Sequence, residues 1–150
     1  PGTGVDHDGI ARKTEVVARA TAFHADGPQS AFETLRRVGG REIVAIAGAV
    51  VRARQLGVPV VLDGFISCSA VAPLAADNVA ITDHCIAGHC SAEPGHATLL
   101  EKLGLSPLLA LGMRLGEGSG AAVATGVIRA ALGAHDQMAT FAEAEVSASL

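Results

Sequence analysis

Two short apolar runs, each lying between segments with helical periodicity, restrict the fold more than any other feature of the sequence. The first is VPVVLDGF (58–65), bounded by Gly57 and Gly64, and the second lies within NVAITDHCIAGH (78–89). Both runs are apolar on the two faces that alternate along a strand, which is typical of strands covered on both sides in a parallel sheet. Because helical segments precede, separate and follow the two runs, the pattern predicts an α/β fold with a parallel sheet.

The helical segments are indicated by apolar residues three or four positions apart. Asp8 is a candidate N-cap for the first of them, and Gly39-Gly40 ends the second. Residues 106–113 are ambiguous between strand and helix, and residues 138–146 are compatible with a final helix. The predicted helices cover residues 9–25, 29–38, 41–57, 66–77 (which contains Pro73), 94–103 and 118–135.

Composition restricts the class of protein. A chain of 150 residues with 49% hydrophobic and 17% charged residues is expected to fold as one domain around an apolar core. The net charge of −4 argues against a nucleic-acid surface, which needs basic residues. No apolar run approaches the ~18 residues of a membrane span, and no signal segment begins the chain. An odd number of cysteines (Cys68, Cys85 and Cys90) fits a reducing compartment, so a cytoplasmic location is expected.

Glycine-rich loops are the first candidates for a binding site. They are PGTG (1–4), VGG (38–40), AGHCSAEPG (87–95) and LGEGSG (115–120). Such loops either form turns or bind a phosphate through backbone N–H groups, and none matches a known phosphate or dinucleotide fingerprint. Four in one chain favour a phosphorylated ligand. In α/β folds ligands bind beyond the carboxyl ends of strands, where Asp63-Gly64 and Gly88-His89 are expected.

Two His-Cys pairs raise the alternative of a zinc site. His84-Cys85 and His89-Cys90 place four possible ligands within seven residues. Adjacent residues of a strand point to opposite faces, however, and ordinary zinc sites separate paired ligands by two or more residues. The spacing therefore favours structural thiols and loop histidines, and we predict that the protein holds no metal.

A carboxylate enclosed by glycines is the candidate for acid–base chemistry. Glu117 lies between Gly116 and Gly118 in LGMRLGEGSG (111–120). It is either a solvated turn residue or a general base in a dry, glycine-lined pocket, where desolvation would raise its pKa. Lys13 and Arg114 are likewise either surface residues or contacts to a ligand. The residues alone leave these alternatives open.

Five segments in this order resemble the nicotinate-nucleotide–dimethylbenzimidazole phosphoribosyltransferase family: VGGREIVAIAGAV, VPVVLDGFI, DHCIAGHCSAEPGH, LGMRLGEGSGAA and MATFAEA. The resemblance covers essentially the whole chain and corresponds to about the second half of the family's sequence. It implies a Rossmann-like parallel sheet flanked by helices and a homodimer. The implied reaction transfers the 5-phosphoribosyl group from nicotinate mononucleotide to 5,6-dimethylbenzimidazole, without a metal or cofactor, in assembly of the lower ligand of cobalamin.

The same resemblance assigns roles to individual residues. It implies that Glu117 is the general base, which takes a proton from one benzimidazole nitrogen while the other nitrogen attacks the ribose. The flanking Gly116 and Gly118 would let the flat base and the sugar approach the carboxylate. The remaining implied substrate contacts are Lys13 with the nucleotide phosphate, Gly64 and Ser91 with the phosphoribosyl group, and Gly2 and Thr3 in a loop that approaches the nucleotide.

The chain also departs from the family's pattern. Cys90 stands where the family usually has an arginine, so a cation near the phosphate would be lost. The family's Gly-Asn-Thr-Thr segment does not occur in residues 1–150. We therefore expect 1–150 to be the C-terminal portion of a single phosphoribosyltransferase domain that lacks its upstream part and is inactive alone. The alternatives are a truncated, non-catalytic relative acting as a nucleotide-binding or dimerisation module, and an unrelated nucleotide-binding α/β domain.

Overall fold

A computed structural model describes residues 5–27 and 30–146. Two short turns of other helical types interrupt the regular elements, a π-helical turn at Leu35–Gly39 and a 3₁₀ turn at Val79–Thr82. In chain order the helices and strands are α1 (His7–His24), α2 (Ala31–Thr34), α3 (Gly40–Gln55), β1 (Val60–Leu62), α4 (Phe65–Asp77), β2 (Cys85–His89), α5 (His96–Leu103), β3 (Pro107–Leu109) and α6 (Ser119–Gln137).

The three strands form one parallel sheet in the order β1-β2-β3. Val60 pairs with Cys85 at one end of the first strand pair, and His89 pairs with Leu109 in the second. Helix α4 connects β1 to β2, and α5 connects β2 to β3, as parallel strands require. The predicted α/β fold with a parallel sheet flanked by helices is confirmed.

The alternation of side chains along β2 divides the molecule into layers. Ala87 is 1% exposed and belongs to the main core, whereas its neighbour Gly88 faces the opposite side of the sheet. The main core fills the space between the sheet and helices α3, α4 and α5. Its buried members are Val50, Leu62, Cys68, Val71, Cys85, Ala87, Leu100 and Leu103.

Helix α6 covers the other face of the sheet at unusually short range. A Cβ at Gly88 would lie 3.0 Å from the Leu62 carbonyl oxygen and 3.1 Å from the Ala121 Cα. Gly120 and Ala124 are the buried positions of α6. Small residues on both elements therefore allow the helix backbone to contact the strand, which explains why α6 is rich in glycine and alanine.

Two local predictions differ from the structure, and one segment left ambiguous by the sequence is now assigned. The ambiguous segment 106–113 contains strand β3, and the N-cap of α1 is Asp6, whose Oδ1 accepts from the Gly9 N–H at 2.7 Å. A final helix over 138–146 is wrong. That segment forms a turn in which the Glu143 carboxylate accepts from the Thr140 N–H at 2.8 Å. Phe141 is 75% exposed, so no packing stabilises so short a helix.

Helix α1 carries an apolar surface with little cover. Val16, Val17 and Phe23 are 60%, 64% and 84% exposed. Within the described ranges, no helix combines the length and the apolar character needed to cross a bilayer.

Candidate active site

A cavity of about 350 Å³ opens at the carboxyl ends of the strands, where the sequence places a ligand. The residue after β1, the last residue of β2 and the loop after β3 all contribute to its wall. Its lining residues are Glu42, Ile46, Asp63, Gly64, Phe65, Ile66, Ser67, His89, Ser91, Glu93, Arg114, Gly116, Glu117 and Gly118.

Glu117 stands in this wall on a left-handed stretch of backbone. The φ angles of Gly116, Glu117 and Gly118 are 82°, 57° and 74°. A non-glycine residue in this conformation costs about 1–2 kcal/mol, and glycines on both sides let the chain hold the turn. The carboxylate is exposed, so the dry pocket expected from the sequence is not formed by the described residues.

Asp63 connects the end of β1 to the start of α6. Its Oδ1 accepts a hydrogen bond from the Ala121 N–H at 2.9 Å, which satisfies one of the free donors in the first turn of the helix. Asp63 thereby fixes α6 beside the sheet. Because the 116–118 loop leads directly into α6, the same bond holds the backbone of Glu117 at the cavity.

The two His-Cys pairs lie in separate surroundings, although Cys85 Sγ lies 3.9 Å from His84 Nδ1. His84 Nε2 lies 3.0 Å from the Val50 carbonyl oxygen, and Cys85 is in the main core. His89 is 3% exposed, with Nε2 3.8 Å from Asp63 Oδ1, and Cys90 packs against the core instead of lining the cavity. Over residues 5–27 and 30–146, no three His, Cys, Asp or Glu side chains gather in a group that could hold a metal ion.

A buried chain of polar groups supports Ser91. His96 Nδ1 lies 2.9 Å from the Ser91 backbone N and 2.8 Å from Ser91 Oγ. On the other side of the ring, Nε2 lies 3.4 Å from Cys68 Sγ. Both His96 and Cys68 are completely buried, so this series of polar contacts runs from the main core to the cavity wall.

Three pKa values are displaced in this region. Burial, followed by the charge of His89, lowers the pKa of His96, and burial raises the pKa of the Cys68 thiol to about 12. The hydroxyl of Ser91 is the main cause of a lowered pKa at Glu93. At neutral pH the imidazole of His96 is therefore neutral, the thiol of Cys68 is protonated and the carboxylate of Glu93 is ionised.

The neutral His96 predicts a loss of stability in acid. An unfolded histidine takes up a proton near pH 6.5, whereas the buried ring resists protonation to a lower pH. The contribution of His96 to stability is therefore complete above pH 6.5 and is lost as the pH falls through its folded pKa. We expect urea denaturation to show this decline in the wild-type chain, and His96→Asn to show a shallower decline. Parallel pH profiles for the two proteins would contradict the assignment.

The structure brings together most of the residues that the sequence nominated. Glu117, Gly116, Gly118, Gly64 and Ser91 all line the one cavity. Gly2 and Thr3 lie outside the described residues.

Lys13 lies elsewhere. It is exposed on α1 and lines a separate shallow depression with Ile10, Thr14 and Val17. Lys13 does not line the cavity that contains Glu117. Its contact with the nucleotide phosphate therefore stays a prediction.

Some groups at the cavity had no assigned role in the sequence. Glu42 and Glu93 add two carboxylates to the wall, and His89 adds an imidazole whose Nδ1 has no hydrogen-bond partner among the residues that the structure describes. His96 lies behind them. The sequence could have indicated Asp63 and His89, because both lie at the ends of predicted strands. No sequence pattern indicates the contact between His96 and Ser91, because that contact depends on the turn between them.

Curated relatives resemble the chain over its whole length. A phosphoribosyltransferase family model matches residues 1–146. The nicotinate-nucleotide–dimethylbenzimidazole phosphoribosyltransferase of Novosphingobium aromaticivorans is 71% identical over 150 residues, which are 100% of this chain and 44% of that protein. The protein of the same name from Sinorhizobium medicae is 53% identical over 147 residues, again 44% of its length. The chain thus spans less than half of the curated relatives it matches.

Solved structures agree in fold. CobT from Thermus thermophilus superimposes with a TM-score of 0.88 at 45% identity, over 99% of this chain and 44% of that one. A second structure from the same organism, described as nicotinate-nucleotide–dimethylbenzimidazole phosphoribosyltransferase, gives a TM-score of 0.85 at 44% identity, over 95% of this chain and 43% of that one. With a family model matching nearly every residue and a cavity at the expected edge of the sheet, the chain belongs to the phosphoribosyltransferase family.

Proposed function

We propose that this chain forms the part of a nicotinate-nucleotide–dimethylbenzimidazole phosphoribosyltransferase that carries the general base. The observation behind the proposal is the position of Glu117, in the wall of the same cavity as Gly64 and Ser91. The names of the relatives supply the two substrates. The complete enzyme would produce α-ribazole 5′-phosphate and nicotinate, a step in assembly of the lower ligand of cobalamin.

In this proposal Glu117 removes the N–H proton of 5,6-dimethylbenzimidazole. The opposite ring nitrogen forms a bond to the anomeric carbon of the ribose, and the bond from that carbon to the nicotinate nitrogen breaks. Nicotinate leaves with the electron pair, and the configuration at the carbon inverts. The exposed carboxylate of Glu117 is accessible to a substrate. Bound dimethylbenzimidazole would cover this carboxylate with an apolar surface and so raise its pKa.

The part of the lining around Gly64 and Ser91 would hold the phosphoribosyl group. Gly64 leaves room close to His89 and Ser91, since a Cβ there would lie 3.5 Å from His89 Nε2. Arg114 supplies a cation in the same wall, where Cys90, turned toward the core, does not. The cavity volume is at the lower end of the range for small-molecule sites.

Lys13 is assigned to the nucleotide phosphate, and this can be tested in a full-length context. In a suitable chimera this chain replaces the matching 44% of the Novosphingobium aromaticivorans relative. We expect Lys13→Ala to weaken nicotinate mononucleotide binding by about one to two powers of ten, because a charge-assisted contact contributes ~1.5–3 kcal/mol. Calorimetry with each substrate checks this, and Arg19→Ala on the same exposed helix is the control. Equal losses for both substrates would indicate a folding defect instead.

We further propose a homodimer as the working form, in the cytoplasm. The exposed apolar residues Val16, Val17 and Phe23 on α1 support self-association. The three cysteines are free thiols, which suits a reducing compartment. Sedimentation of the purified chain at several concentrations would test the association, and a monomer at all of them would remove it.

Activity assays separate this proposal from a non-catalytic module that only binds nucleotide or dimerises. We expect the 150-residue chain alone to bind nicotinate mononucleotide weakly and to form no detectable α-ribazole phosphate, because positioning of both substrates supplies ~7–11 kcal/mol of the lowered barrier. We expect the chimera to form product. A chimera that folds and binds both substrates without turnover would favour the non-catalytic module.

A further inference from the structure

The protonation of His96 follows from its contacts. A backbone N–H is always a donor, so the Ser91 N–H at 2.9 Å requires an unprotonated Nδ1 on His96. The neutral ring then carries its proton on Nε2. Nε2–H donates a hydrogen bond to Cys68 Sγ at 3.4 Å, a weak acceptor that remains a protonated thiol because burial raises its pKa to about 12. One tautomer satisfies both sides of the ring.

The same contact fixes the hydroxyl of Ser91. Ser91 Oγ lies 2.8 Å from His96 Nδ1, whose lone pair the backbone N–H already engages. The backbone N–H and the hydroxyl of Ser91 therefore share the lone pair of His96 Nδ1. Ser91 is only 9% exposed and lines the cavity. Its backbone N–H and its hydroxyl both contact His96, which does not line the cavity.

We propose that His96 is a positioning residue, which holds Ser91 at the cavity wall through Nδ1 and thereby sets the affinity of this wall for the phosphoribosyl substrate. The inference rests on the proposed function for the identity of that substrate. It does not require His96 to touch substrate, because the ring is 0% exposed. The energetic basis is the cost of a buried donor left without a partner, which a side chain with no acceptor in the place of Nδ1 would impose on the Ser91 N–H.

Several charged or titratable groups face His96 and belong in its pH behaviour. Asp63 follows β1, and Cys68 lies on α4. His89 ends β2, with its ring centroid 6.2 Å from that of His96, and Glu93 lies in the loop before α5. The carboxylates favour protonation of the ring, whereas burial and His89 oppose it more strongly. The neutral tautomer is therefore expected to persist through neutral pH.

Two substitutions of nearly equal size separate positioning from packing. In His96→Asn the side-chain oxygen occupies about the place of Nδ1 and can accept from Ser91. In His96→Gln the amide reaches the place of Nε2, so the contact with Cys68 is kept and the acceptor for Ser91 is lost. Ser91→Ala is the matched control for the hydroxyl. All three are made in the 150-residue chain.

The first measurement needs no substrate. In ¹⁵N spectra of the wild-type imidazole we expect an unprotonated Nδ1 and a protonated Nε2 for His96. The hydrogen-bonded Ser91 amide resonance should persist in His96→Asn and move in His96→Gln. A protonated Nδ1 in the wild type, or equal shifts of the Ser91 amide in both variants, would overturn the proposal.

The second measurement is affinity for nicotinate mononucleotide by calorimetry. We expect His96→Asn to bind within about threefold of wild type, and His96→Gln to bind roughly tenfold or more weakly. Equal weakening, with equal decreases in melting temperature, would show that His96 is only structural. If the wild-type chain binds no nucleotide, the function proposed for this chain fails, and the Ser91 amide still decides the role of His96.

Discussion

Glu117→Gln is expected to lower kcat of the Novosphingobium chimera by roughly 10²–10⁴-fold, with a much smaller change in KM. Glutamine has nearly the shape of glutamate and can still hydrogen-bond the benzimidazole, so binding is largely kept. It cannot accept the proton as the new carbon–nitrogen bond forms. The loss therefore falls on the transition state. Steady-state kinetics with both substrates, across a range of pH, measures it.

The control for this substitution is Glu101→Gln, an exposed carboxylate on α5 outside the cavity lining. It should leave kcat unchanged. The melting temperature of the Glu117→Gln chimera should equal that of its parent, because the left-handed conformation at this position costs glutamine about as much as glutamate. Near-normal turnover at neutral pH in the glutamine variant would remove Glu117 from the mechanism.

Gly120→Ala is expected to be the most destabilising of the glycine-to-alanine substitutions in α6. A Cβ at this position would overlap the ring of His89, contacting its Cδ2 and Nε2 atoms. That ring is buried between α6, Asp63 and His96, so a new methyl group would force it out of its place and toward the cavity that it lines. Overpacking of this kind costs about 1–3 kcal/mol, and more where the neighbour cannot move. Urea denaturation of the 150-residue chain gives the free energy of unfolding directly.

The same helix offers a matched control. A Cβ at Gly126 would meet no atom within 4 Å, and Gly126 lies in the interior of α6. Gly126→Ala should stabilise the chain by up to about 1 kcal/mol, since alanine is the better helix former. Opposite signs at the two positions are the expected result. A neutral or stabilising effect of Gly120→Ala would mean that α6 does not lie against His89 as the structure places it.

Much of the fold follows from the sequence because its strongest patterns are local. The apolar runs around Val60–Leu62 and Cys85–His89 became strands, and the periodic segments became helices near the expected bounds. Strand β3 was not predictable in the same way. It begins with Pro107, and both Pro107 and Leu108 are exposed, so neither burial nor alternation distinguishes it.

The site was predictable in part. Motifs nominated Gly64, Ser91 and Glu117, and their meeting in one cavity follows from the shared carboxyl edge of a parallel sheet. The exposure of Glu117 was not predictable, because it depends on which other segments cover the 116–118 loop. His96 was missed for a different reason. A histidine that opens an amphipathic helix resembles any surface histidine until the turn from Ser91 brings its ring beneath the cavity.

The hydrogen bond between Asp63 and the Ala121 N–H joins residues 58 positions apart, and this separation has a kinetic consequence. Closing so long a loop costs entropy that only a formed sheet repays, so α6 should join after β1 and β2 have paired. When the native protein unfolds in part, we expect α6 to leave the sheet first. Only Gly120 and Ala124 of α6 are buried, so release of this helix is an inexpensive partial unfolding. Release of α6 would also move Glu117 away from the cavity. Amide hydrogen exchange at Ala121 measures how often this opening occurs.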